Sequence, residues 1–268
     1  MKIRTASHHS FSFLYRRWIL LLILPVEALY AQAPVPQVGN VASTLAQLTS
    51  TFSGARTIQS IQLSGDATWY AGSLEDSGTV NLNAASDGSS QMQLDLSATG
   101  QLTESQSGIG SSAKCQRSGK DGVVHSVDRG NCWRPVLWFL PTFSLQPKVL
   151  SNQQVFTDLG QGTVGSGEAV YHHLQGQVVP SGAGPTGSAA ASLAERSSTD
   201  IGLDPATSLP SVLTYSLRPD DGVAISIPVE VRFSEYRSVD GVQIPFHIER
   251  YLNGSLQLDI RVSAAVIH

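Results

Sequence analysis

The last third of the chain alternates apolar and polar positions almost without a break. Leu213, Tyr215 and Leu217 alternate with Thr214, Ser216 and Arg218. Val223, Ile225, Ile227, Val229, Val231 and Phe233 then alternate with polar or small residues, and Ile244, Phe246 and Ile248 continue the pattern. Leu256, Leu258, Ile260 and Val262 close it. A period of two turns one face of each strand to apolar surroundings and the other to water. Turn chemistry separates the runs: Pro219-Asp220-Asp221-Gly222, Val239-Asp240-Gly241-Val242 and Asn253-Gly254. Asp-Gly and Asn-Gly are the residues that a tight hairpin selects. Three successive hairpins predict an antiparallel meander, and a strand as long as Val223–Tyr236 predicts strong curvature. Pro228 within that strand marks an edge or a bulge.

The same period runs through the first half. Strands are predicted at Thr57–Tyr70, Gly78–Ala85 and Gln91–Ala98, with a short one near Gln101–Ser105 and a turn at Ser86–Ser89. A further strand pair is predicted over residues 164–179, around a turn at Gly167. Three segments break the alternation. Val41, Leu45, Leu48 and Phe52 form a helical stripe with Asn40 as its N-cap. The run from Trp133 to Leu140 is dense in aromatics. Pro135 suits a first helical turn and Pro141 is a stop, so the spacing predicts a short helix whose Trp133, Leu137 and Leu140 share a face. Such a helix either plugs the core or lids an apolar cavity. Ser181–Asp200 is rich in Gly, Ala and Ser and buries too little apolar surface to offset its ordering entropy, which predicts a disordered, mobile insertion at 181–200.

The N-terminus reads differently. Lys2, Arg4, Arg16 and Arg17 precede an apolar run from Trp18 to Val26, followed by small residues at Ala28, Ala31 and Ala33. A basic start, a short apolar run and an A-x-A site predict a secretory signal peptide over residues 1–33, cut after Ala31 or Ala33. The run falls short of the roughly 20 apolar residues of a spanning helix, so no transmembrane anchor is expected in the mature chain. Its remaining residues, 34–268, are expected to form a single domain. Removing residues 1–33 takes out four basic residues and one acid, leaving 13 Lys and Arg against 20 Asp and Glu. An acidic chain offers no footprint for nucleic acid. Export also favours pairing of the two cysteines, Cys115 and Cys132, in a disulfide worth roughly 3 kcal/mol for a loop of this length. His125 and Asp128 lie between them, but no CxxC or HxxxH spacing supports a metal.

Catalytic signatures are missing from the sequence: there is no GxSxG, HExxH, Walker A or EF-hand pattern. Gly160–Gly165 spells GxGxxG but lacks the strand and helix of a βαβ unit, and reads as a flexible loop. His172 and His173 are adjacent in a strand, so their side chains take opposite faces and share no metal. His125 and His247 are isolated, and Glu235 and Asp240 near a turn are candidates for surface pairs with Arg237 or Arg232. The expectation is a non-enzymatic protein without metal or cofactor.

The stretch Gly202-Leu203-Asp204-Pro205-Ala206-Thr207-Ser208-Leu209-Pro210, followed by Phe233–Phe246 (FSEYRSVDGVQIPF), resembles the end of the LolA/LolB-like superfamily of periplasmic lipoprotein carriers and outer-membrane lipoprotein-sorting proteins. The resemblance covers roughly the last 70 residues. It implies a mainly β (α+β) fold: one open, strongly curved antiparallel sheet, an incomplete β-barrel, with an N-terminal helix and the short aromatic helix on its concave side. It also implies an apolar cavity, and a bacterial periplasmic or secreted location. The cysteine loop and the 181–200 insertion depart from the carriers' pattern. Alternation, not family ligand residues, nominates the cavity lining: Trp133, Leu137, Leu140, Ile225, Ile227, Val229, Val231, Phe233, Leu256, Leu258 and Ile260. The leading expectation is a hydrophobic small molecule or acyl chain held there, with lipid or lipoprotein transport as the role. The alternative is a packed structural domain that docks an envelope protein partner through its edge strands.

Overall fold

The computed structural model describes residues 40–54, 56–108, 113–127, 129–132, 138–145, 154–179, 187–218 and 225–268. The expected signal peptide, the turn at 219–222, Trp133 and Leu137 lie outside the described residues. No described helix is long and apolar enough to cross a membrane.

The alternating segments form strands β1 (Ser60–Ala71), β2 (Leu74–Ala85), β3 (Ser90–Leu96), β4 (Gly100–Ser107), β5 (Lys114–Ser118), β6 (Val124–Ser126), β7 (Gln154–Thr163), β8 (Val170–Val178), β9 (Thr199–Leu203), β10 (Pro210–Leu217), β11 (Ile227–Val239), β12 (Val242–Leu252) and β13 (Ser255–Ile267). They make one sheet in the order β6-β5-β4-β3-β2-β1-β13-β12-β11-β10-β9-β8-β7. Every pairing is antiparallel. Two meanders are thus zipped together where the first strand meets the last, Ile61 opposite Ile267. The sheet does not close: β6 and β7 are its two edges.

The C-terminal hairpins follow from their turn residues. Asp240 and Gly241 have φ of 49° and 82°, and Asn253 and Gly254 have 49° and 78°. Two consecutive positive φ values give the turn whose twist matches the flanking strands. The inward rows pack into a core that includes Leu63, Leu82, Leu94, Leu213, Val231, Ile248 and Ile260. Helix α1 (Val41–Ser53) buries Leu48 and Phe52 against it, and Asn40 caps the helix by accepting the Ala42 N–H at 3.1 Å.

Three expectations are corrected. Pro141 does not stop a helix; it opens α3 (Pro141–Ser144) from its first turn, where a missing N–H costs nothing. Helix α2 is described over Arg129–Cys132, residues 133–137 of the expected aromatic helix lie outside the described residues, and Trp138 and Phe139 form a turn. The strand pair of the Gly-rich region sits earlier than expected, with β7 at Gln154–Thr163 and β8 after a link over 164–169. Gly160 and Gly162 therefore lie in a strand and not in a loop. Gly160 follows a bulge at φ 74°, and Gly176 leaves room for the Phe156 ring, which a Cβ would meet at 2.8 Å. Within the segment expected to be mobile, Ser188–Arg196 forms helix α4 and Thr199 and Asp200 open β9. Its alanines have the best helix propensity, and Ser197 Oγ fastens its end by accepting the Val178 N–H at 2.8 Å and donating to Leu193 O at 2.8 Å.

Candidate functional site

The described residues fill only part of the inward face of the sheet. One part packs against α1 and α3; the rest opens into a cavity of about 1160 Å³. Met92, Leu94 and Leu102 of β3 and β4 line one side, and Tyr215, Leu217, Ile227, Val229 and Leu252 of β10–β12 line the other. Trp138 and Phe139 reach in from the crossing segment, their rings edge to face at 5.4 Å.

Helix α2 straps this opening. Cys132 is disulfide-bonded to Cys115 on β5. Its neighbour Asn131 is locked to the end of β10, donating from Nδ2 to Arg218 O at 2.6 Å and accepting the Arg218 N–H at 2.9 Å. One turn of helix thus joins strands that lie toward opposite ends of the sheet order.

A buried arginine and its carboxylate partner stand within the apolar part of the lining. Arg250 continues the inward series Ile244, Phe246 and Ile248 and is 6% exposed. Its guanidinium lies 4.6 Å over the Trp138 ring and donates from Nη1 to Glu104 Oε2 at 3.1 Å and from Nη2 to Glu104 Oε1 at 3.3 Å. Burial works against the charge, but the Glu104 carboxylate and its hydrogen bond, together with Tyr215, outweigh it and hold the Arg250 pKa above its ordinary value. Its Nε is buried without a hydrogen-bond partner.

No protein-family model and no curated protein matches the sequence. Solved structures do match in fold. A LolA superfamily protein of Nitrosomonas europaea superposes with a TM-score of 0.50 at 11% identity, over 86% of this chain and 94% of its own. The chain is similar in fold to that protein. A domain of Vibrio parahaemolyticus described as an outer membrane lipoprotein-sorting protein gives 0.51 at 9% identity, over 85% of this chain and 94% of its own. A DUF1329 family protein of Desulfovibrio piger gives 0.51 at 12% identity, over 84% and 90%. The likeness thus runs well beyond the C-terminal residues that suggested it.

Within this sheet the residues nominated from alternation separate. Ile227 and Val229 line the cavity. Leu140, Val231, Phe233, Leu258 and Ile260 are buried in the packed part. Ile225 is 57% exposed. A bulge in β13 places Leu256 opposite Tyr251, on the outer face, and brings Gln257 to the cavity instead. Leu94, Leu102, Tyr215, Leu217 and Leu252 were not nominated, although they lie on inward rows of strands that were predicted. Arg250 and Glu104 were also missed; the available signal was a charged residue at an inward position of an otherwise apolar series.

Three of the histidines lie beside acids. His172 Nε2 lies 2.8 Å from Asp158 Oδ1 and His173 Nε2 lies 2.8 Å from Asp200 Oδ1, on opposite faces as their adjacency requires. His247 is not isolated: it contacts Asp259 at 3.0 Å and Ser234 at 3.1 Å, beside Glu249. Arg261 Nε stands 3.4 Å from Asp259, so this trio is part of an outer-face ion-pair network. Glu235 pairs with Arg237 as expected, and also with Arg261.

Asp158, 1% exposed, moors α1 to β7. It accepts from Thr44 Oγ1 at 2.6 Å and from the Gly160 N–H at 2.9 Å. Burial raises its pKa, but these bonds and His172 overcome that and hold it below the ordinary carboxylate value. A lowered folded pKa contributes stability above the unfolded value of about 3.9 and loses it as pH falls through the folded value. Asp158→Ala is therefore expected to cost about 1–3 kcal/mol in urea unfolding at neutral pH. The gap to the parent should narrow below about pH 4; a gap that stays constant on acidification refutes the assignment.

Proposed function

We propose that this chain is an exported, non-enzymatic protein that holds a hydrophobic ligand, a lipid or acyl chain, in the cavity of its half-barrel. The observation that carries the reading is the unfilled apolar volume of about 1160 Å³ between β3–β4 and β10–β12. It exceeds the range of about 300–1,000 Å³ usual for small-molecule sites. An acyl chain suits such a space. Each buried methylene contributes ~0.8 kcal/mol, so about ten reach the ~8 kcal/mol of a micromolar complex, and a longer chain offsets ordering costs. Carriage of lipid or lipoprotein between membranes is the corresponding role, and the similarity in fold to proteins described as lipoprotein-sorting supports it.

Titration with a fluorescent fatty acid tests the reading. Micromolar binding is expected. Leu217 is half-buried on the cavity wall, so Leu217→Trp should fill space and weaken binding about 4- to 15-fold, by displacing one or two methylenes. Native mass spectrometry of protein taken from the export compartment should show a co-purifying lipid. No bound lipid together with no fatty-acid binding sinks the carrier reading and favours a docking domain.

A further inference from the structure

We infer that the guanidinium of Arg250 is a hydrogen-bond anchor inside the cavity, which takes the carbonyl oxygen of an acyl ligand. The inference rests on the acyl-binding reading and adds the group that fixes where the ligand sits.

Arg250 and Glu104 belong to β12 and β4, and β3, β2, β1 and β13 stand between those strands in the sheet. Their side chains nevertheless meet at 3.1 Å. The pair is therefore a crossbar through the interior of the curved sheet. On β12 the inward neighbours of Arg250 are Ile248, fully buried in the core, and Leu252, on the cavity wall. The crossbar stands where packed core gives way to open volume.

The two edges of the guanidinium differ. Nη1 donates to both Glu104 oxygens and Nη2 to Oε1. Nε, on the other edge, is buried without a hydrogen-bond partner. Arginine has no acceptor and does not lose its proton, so Nε cannot be satisfied by a change of tautomer. Buried donors are almost always paired, and one left over marks a place for a missing acceptor. No described residue supplies it, and Arg250 lines the cavity, so the acceptor arrives with the guest. Nε has already been taken out of water, so a bond made to it strips no water from the donor.

The surroundings set the chemistry of that acceptor. Glu104 already answers the charge of Arg250, so the spare edge needs a lone pair more than a second negative charge. An acyl carbonyl supplies one directly beside an apolar tail. The tail then lies along Val229 and Leu252, which face each other across β11 and β12. The guanidinium lies over the Trp138 ring at 4.6 Å and is held at one end by a carboxylate that is 44% exposed. A small turn in its own plane brings Nε to the cavity surface without breaking either contact.

The test compares methyl dodecanoate with methyl dodecyl ether, which differ only in the carbonyl oxygen, and adds dodecanoate. Each is used to displace a fluorescent fatty acid from the parent, Arg250→Met and Arg250→Lys. Arg250→Met should cost the ester about tenfold or more in affinity beyond what it costs the ether, the worth of a hydrogen bond to a charged donor. A change in cavity shape or stability falls on both ligands alike and leaves their ratio where it was. Arg250→Lys keeps a cation for Glu104 but has no Nε, and should lose the ester preference as well. Dodecanoate separates the two sources of a carbonyl oxygen: the larger loss on Arg250→Met, for ester or for free acid, names the guest. An unchanged ratio in Arg250→Met with both ligands bound overturns the anchor, assigns Nε to a water and leaves the acyl reading standing. A preference kept by Arg250→Lys also overturns it, because the cation alone then suffices. Failure of the fluorescent fatty acid and all three compounds to bind the parent overturns the acyl reading itself.

Discussion

Replacing Cys115 and Cys132 with serine should lower the stability of the protein by about 3 kcal/mol, because the bond closes a loop of roughly sixteen residues and restricts the unfolded chain accordingly. For a domain of this size that amounts to a fall of roughly 6–12 °C in the unfolding midpoint. The location of the bond predicts where the loss appears. Cys132 is the last residue of α2, and Asn131 beside it holds the end of β10 through two hydrogen bonds to Arg218. Without the sulfur bridge, the strap keeps on the β5 side the bond from the Val127 N–H, just before α2, to Cys115 O at 2.9 Å. Amide exchange should therefore rise at β5, β6 and Arg218, whose N–H is bonded to Asn131. It should stay slow at the β1–β13 seam, which lies in the middle of the sheet. Asn131→Ala should show the same pattern at about 1 kcal/mol, the worth of ordinary hydrogen bonds. An unchanged exchange map in the serine variant would show that the bridge acts only on the unfolded chain and that α2 needs no covalent anchor.

The elements were legible wherever burial on one face alone set the pattern. The last meander, its two hairpin turns and α1 with its Asn40 cap follow directly from period and turn chemistry. The errors arose where a local signal had two meanings. Proline ends one helix and begins another, so Pro141 was read from the wrong side. Glycine marks loops, but in β7 it accommodates a bulge and in β8 the ring of Phe156. The site was less legible than the fold, because alternation says which side chains turn inward and not whether anything fills the space before them. Val231 and Val229 are neighbours on one inward row. Both are buried in the core cluster, and Val229 also borders the cavity. That difference is set by α1 and α3, which cover only part of the sheet, and by one added residue in β13, which turns Leu256 outward and Gln257 in. Neither is a property of a strand's own sequence.

The ion pair inside the cavity gives the second large effect, and its two halves should behave unequally. Arg250 has 7% of its side chain exposed and Glu104 has 44%. Removing one member of a buried pair leaves the other uncompensated, at a cost of several kcal/mol if that other is held away from water. Glu104→Ala strands a guanidinium fixed beneath Trp138 whose Nε already lacks a partner, so it should destabilise by about 3 kcal/mol, the low end for such pairs. Arg250→Met leaves a carboxylate that can turn to solvent, and its thioether chain keeps most of the packing against Trp138; it should cost about 1 kcal/mol or less. The double variant should recover most of the loss seen in Glu104→Ala, because the stranded guanidinium is then gone as well. Urea unfolding of the three variants closes the cycle. If Arg250→Met is as costly as Glu104→Ala, the guanidinium matters as a plate packed on the indole, and the charge pair is incidental to the stability of the wall.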